Sequence, residues 1–99
     1  MNQTDKPIAN HIVVLREEFD DWAILFNPDT ADAVGTNPVG VAAWKLMDGN
    51  RSIEDIVSEI KNNFEDAPAG VLNEIVAFVN KLDENGFVGL ELERKAKNA

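Results

Sequence analysis

At Asn37-Pro38 the hydrophobic pattern of this chain changes period, and that change restricts the fold more than any other feature. Before it, apolar residues come in short runs cut by turn signals. After it, they recur three and four positions apart between helix caps. Ile12 to Phe19 is β-branched at its start and reads as a strand. Asp20-Asp21 is a tight turn, and Trp22 to Phe26 is a second apolar run, too short for a helix and stopped by Asn27-Pro28-Asp29. Ala31, Asp32, Ala33, Val34, Gly35 and Thr36 form a third, thinly covered strand. Such close spacing favours an antiparallel meander. Residues 1–10 are polar, carry Pro7 and show no period, which predicts a flexible lead-in.

From Asn37 onward the signals are helical. Asn37 is the cap and Pro38 the first helical residue, with Val41, Trp44 and Met47 on one face and Gly49 as the stop. Ser52-Ile53-Glu54-Asp55 has the form of a capping box with Asp in place of Glu, ahead of a narrow Ile53, Ile56, Val57, Ile60, Phe64 stripe. The Gly49-Asn50-Arg51 linker suits a helix-turn-helix corner. Pro68 opens a third helix and Asn85-Gly86 closes it. Its apolar residues divide into two adjoining rows, Val71-Ile75-Phe78-Leu82 and Leu72-Val76-Val79. Phe87 to Leu92 is a short terminal strand, and residues 93–99 are a frayed tail. The expectation is one α+β domain over residues 11–92, a three-stranded antiparallel sheet followed by three helices.

Composition removes most chemistries. Eighteen acids against nine Lys and Arg give a net charge of −9, which repels phosphate backbones and anionic membrane surfaces. The second helix sets Glu54, Asp55, Glu59 and Glu65 against Lys61, the wrong sign for a major-groove reader. With no cysteine, disulfides and thiolate sites are excluded. His11 is the sole histidine and no patterned partner marks it as a base, so neither catalytic nor metal-binding residues are expected, and no cofactor. The N-terminus lacks a signal-peptide layout and no apolar run approaches a membrane span, making the cytoplasm the default.

The stretch from Gly35 to Ile56, with its strand ending in Asn37, its Leu46-Met47-Asp48-Gly49 helix end, its Ser52 cap and its Ile-rich helix, resembles the PqqD family. Asn85-Gly86-Phe87-Val88 after the third helix completes the likeness, which spans roughly residues 10–90. The family is named for the peptide chaperone of pyrroloquinoline quinone biosynthesis. The resemblance implies a winged helix-turn-helix-like domain whose sheet edge takes up the leader of a ribosomally made precursor peptide as an added strand. The domain presents that peptide to a modifying enzyme, often a radical SAM protein. Mapped onto this chain, the resemblance implies an edge at Ala31, Asp32, Ala33, Val34, Gly35 and Thr36, with Leu72, Val76 and Val79 as the helix wall. By themselves the same residues also fit an ordinary edge strand and a helix row that is core under the sheet. A winged helix binding nucleic acid, or another regulatory interaction domain, is the alternative function. A monomer and a homodimer paired through the open edge are both compatible with the pattern.

Overall fold

The computed structural model describes residues 2–64 and 70–90. Its elements are β1 (Pro7–Ala9), β2 (Val14–Glu17), β3 (Ala23–Asn27), β4 (Asp32–Thr36), α1 (Pro38–Lys45), α2 (Ile53–Asn63), α3 (Val71–Glu84) and β5 (Val88–Leu90). The period-two reading holds best in β3, where Ala23, Leu25 and Asn27 are buried and Ile24 and Phe26 exposed. β3 lies at the centre of a three-stranded antiparallel sheet ordered β2-β3-β4, so the expected meander and the α+β class are observed. Asp20-Asp21 falls in a single 3-10 turn, Phe19–Asp21, rather than a two-residue hairpin turn.

Three expectations change. Ala31 is not in the third strand. It closes the turn before β4 in a left-handed conformation (φ 62°), donating its N–H to the Asn27 carbonyl at 2.8 Å. Such a φ is incompatible with an extended ladder. The first helix also stops short of Asp48, with Leu46 at its C-cap and Gly49 at φ 81° in the linker. The third change concerns the flexible lead-in, because Pro7–Ala9 pairs antiparallel with β5, joining Ala9 to Val88 and Pro7 to Leu90. Pro7 is fully buried. A three-residue strand shows no period, and its partner lies some eighty positions away, so neither local signal betrays it. The segment also carries backbone acceptors: the carbonyls of Gln3 and Asp5 take the N–H groups of Glu54 and Ile53. Those donors at the start of α2 would otherwise face water alone. The opening at Pro68 and the tail over residues 93–99 lie outside the described residues.

The helices bury one face each over the inner side of the sheet. Leu25 and Val34 from the sheet meet Trp44, Ile56, Ile60, Ile75, Val79, Leu82 and Phe87 in one cluster. Gly40 sets how closely α1 approaches β4, since a Cβ there would stand 1.8 Å from the Thr36 hydroxyl oxygen. The Asn37 side chain accepts the Gly40 N–H at 2.8 Å and so starts α1 directly at the end of β4.

The capping box read from Ser52 to Asp55 is complete. Ser52 Oγ accepts the Asp55 N–H and Asp55 Oδ2 accepts the Ser52 N–H, each at 3.1 Å. The Ser52 N–H, with the Ser52 side chain adding to it, holds the Asp55 carboxyl below the ordinary carboxylate range. A carboxyl lowered on folding contributes stability above its unfolded pKa and loses it as pH falls through the folded value. Urea unfolding below about pH 4 should therefore show a falling stability. Ser52→Ala should cost about 1 kcal/mol at neutral pH and lessen that acid slope only in part, because the Ser52 N–H remains. Asp55→Ala, which removes the carboxyl, should flatten the slope, and an unchanged slope there would dissociate Asp55 from it.

Candidate functional site

Antiparallel ladders alternate between pairs that exchange backbone hydrogen bonds and pairs that do not. The Glu18 N–H donates to the Trp22 carbonyl at 2.6 Å, which makes that pair a bonded one. Following the register, Arg16 with Ile24 and Val14 with Phe26 are bonded pairs as well. Ile24 and Phe26 therefore direct their backbone groups to β2, and Ala23, Leu25 and Asn27 direct theirs to β4. Their register partners Thr36, Val34 and Asp32 face back across the ladder. Ala33 and Gly35 are left with both N–H and C=O turned outward. No strand among the described residues takes them up.

The sheet has two edges and they differ in chemistry. β2 carries Arg16 and Glu17, held in ion pairs with Glu18 and Lys45. Charged side chains of this sort discourage an incoming strand. Along β4, only Asp32 at the start is charged, and Ala33 and Gly35 cover little. A Cβ built on Gly35 meets nothing within 4 Å, so the backbone there is approachable from the outer face.

Beside this edge lies a groove of about 210 Å³. Gly35 and Thr36 form its strand side, Asn37, Val39 and Gly40 its floor at the start of α1, and Glu74, Ile75 and Phe78 its far wall on α3. Trp22, 54% exposed, closes one end. The Asn37 amide donates to Glu74 Oε1 at 3.3 Å and ties the floor to the wall.

The residues named from the sequence are partly brought together here. Asp32, Ala33, Val34, Gly35 and Thr36 form the edge strand, though Val34 and Thr36 turn their side chains into the core at 6% and 5% exposure. Ala31 precedes it in the turn. The helix residues are not where the two-row reading put them. Val79 is fully buried and belongs to the core with Val71, Ile75 and Leu82. Leu72 and Val76 are half-buried and do not line the groove. At 100° per residue they lie on one flank of that core stripe, and Phe78 and Glu74 lie on the other. Both flanks carry apolar residues, so the pattern alone does not tell which one faces β4. Glu74 and Phe78 were missed for that reason, and Trp22 and Val39 because only the folded chain brings them beside α3.

Among the described residues no group of His, Asp and Glu stands close enough to hold a metal ion, and no helix is long and apolar enough to cross a membrane.

The model of the family described as coenzyme PQQ synthesis protein D (PqqD) matches residues 23–88, two thirds of the chain. The chain belongs to the PqqD family. The matched span begins at β3 and ends at β5, taking in the open edge, the three helices and the groove between them. A search of curated proteins finds no match. Among solved structures the chain is similar to "TbiB1 in Complex with the TbiA(beta) Leader Peptide", with a TM-score of 0.64 and 22% identity. The likeness covers 82% of this chain and 93% of that one. At that identity it establishes a shared fold for the PqqD-family chain.

Proposed function

We propose that this protein is a peptide chaperone that binds the leader of a ribosomally made precursor by strand addition at β4. The observation that carries the reading is the unpaired, nearly uncharged edge at Ala33 and Gly35 lying beside an apolar groove. Membership of the PqqD family supports it, as does a fold shared with a protein solved in complex with a leader peptide. Strand addition draws affinity from backbone hydrogen bonds and specificity from pockets for alternate side chains. Ligand residues level with Val34 and Thr36 share their face of the sheet and reach the Phe78 groove. Residues level with Ala33 and Gly35 lie over the outer face, where Ile24 and Phe26 are exposed. The protein performs no reaction itself. It hands the peptide to a modifying enzyme, a radical SAM protein by family resemblance, in the cytoplasm where ribosomal peptides are made. Without peptide, the same edge is free to pair with a second copy of the chain.

Calorimetric titration with the leader peptide encoded beside this gene tests the reading: saturable, one-to-one binding is expected, and its absence sinks it. The position of the wall has its own test. Phe78→Ala should weaken binding about tenfold, the effect of removing an aromatic anchor. Val76→Ala should lower stability and leave the dissociation constant within about twofold, since truncations outside a contact leave affinity nearly unchanged. The reverse pattern would move the peptide to the other flank of α3.

A further inference from the structure

Among the described residues that line the groove, Glu74 is the one ionisable side chain. It stands on the same flank of α3 as Phe78, one turn earlier, at the end where β4 runs into α1. Its Oε1 accepts the Asn37 amide at 3.3 Å, a contact that aims the carboxylate across the groove floor. No ion pair among the described residues involves it. Lys81 shares its stripe seven positions on, about 10 Å along the helix axis. That is a full screening length at ordinary ionic strength, so Lys81 does not neutralise it. Lys45 reaches Glu17 instead, at 2.8 Å. Among the described residues this groove end has one carboxylate, an amide donor already committed to it and no ion-pair partner, which leaves it electrostatically unfinished. An excess of acids over the whole chain adds to the negative potential there.

We infer that the bound strand carries a lysine or arginine at the position that passes Glu74, and that Glu74 selects it. The inference rests on peptide binding at the β4 edge and adds the chemistry of one ligand position. A side chain on the Thr36 level of an added strand points to the α3 side of the sheet, as Thr36 itself does. From that level a long cationic side chain lays its methylenes along Val39 and Phe78 and brings its charge to the carboxylate, as amphipathic side chains do at such boundaries. An acidic residue at the same position meets like charge and is rejected. The pair is thus a specificity device more than a source of affinity.

The test uses the full chain and a positional library of eight-residue β-forming peptides, each position substituted in turn with Lys, Arg, Gln and Glu. Amide shifts of Ala33 and Gly35 report occupancy of the edge. The wild-type chain should prefer Lys or Arg over Gln about fivefold at one position, over Glu by more, and lose both preferences in high salt. Glu74→Gln, which keeps an acceptor for Asn37, should show no preference among the Lys, Gln and Glu peptides. Glu74→Lys should invert the order toward Glu. Peptides that shift Ala33 and Gly35 with no basic preference, or a preference that survives Glu74→Gln, overturn the assignment while leaving strand addition standing. A library in which no peptide perturbs the edge overturns strand addition itself, and this assignment with it.

Discussion

Gly35→Pro should abolish peptide binding while leaving the protein folded. The N–H of Gly35 points away from β3, so its removal breaks no internal ladder bond, and a proline with its donor side facing solvent is tolerated on an edge strand. An incoming strand loses that donor and meets the pyrrolidine ring where its own backbone has to approach. The expected loss in affinity is at least about a hundredfold, because the ring displaces the neighbouring hydrogen bonds of the added strand as well as the missing one. Val34→Pro is the contrasting variant. Its N–H lies in the β3–β4 ladder and its side chain is buried, so it should unfold the sheet at a cost of about 3 kcal/mol or more. Circular dichroism on both variants, with titration of the folded one, separates the two. Should Gly35→Pro bind normally, the outward-facing set is Val34 and its parity, and the assignment of the ladder is off by one residue.

The largest effect on stability should come from Phe87→Ala. Phe87 heads the fully buried side chains, in contact with the cluster that joins α2, α3 and β5. Its backbone is equally engaged, donating to the Leu82 carbonyl and accepting from the Asn10 N–H, each at 2.8 Å. Truncation removes the aromatic ring and leaves a cavity beside the β1–β5 pairing, costing about 3–5 kcal/mol. A domain of this size commonly has only about 5–15 kcal/mol in total, so the variant should be extensively unfolded at moderate urea concentrations. A loss under about 1 kcal/mol by urea denaturation would mean that the site collapses around the missing ring. The β1–β5 pairing should fray with it, since Asn10 and Phe87 close that small sheet.

Local chemistry was legible wherever the determining interactions lie within a few residues. Asn37-Pro38 and the Ser52 to Asp55 box each act through neighbours three or four positions away, and each is found as read. The period-two pattern of Ala23–Asn27 survives because one face of β3 is buried and the other is not. The order of these signals was enough to suggest the PqqD family, and the open strand before α1 came with it.

What the chain alone did not disclose depends on which surfaces meet in space. Pro7–Ala9 has no periodicity because its partner is at the far end of the chain, and only closure of the fold creates the pairing. Ala31 reads like the strand that follows it, and only the geometry of the turn back from Asn27 puts it at positive φ. On α3, apolar residues on both flanks make the sequence pattern nearly symmetric. Packing breaks that symmetry, with Val79 buried in the core and Phe78 and Glu74 lining the groove beside the open edge. Sequence determined the meander strands, the helices and their order because capping and alternation are local. Tertiary structure decided which flank of α3 lies beside the groove and which two backbone positions of β4 turn outward, because burial is settled only by packing.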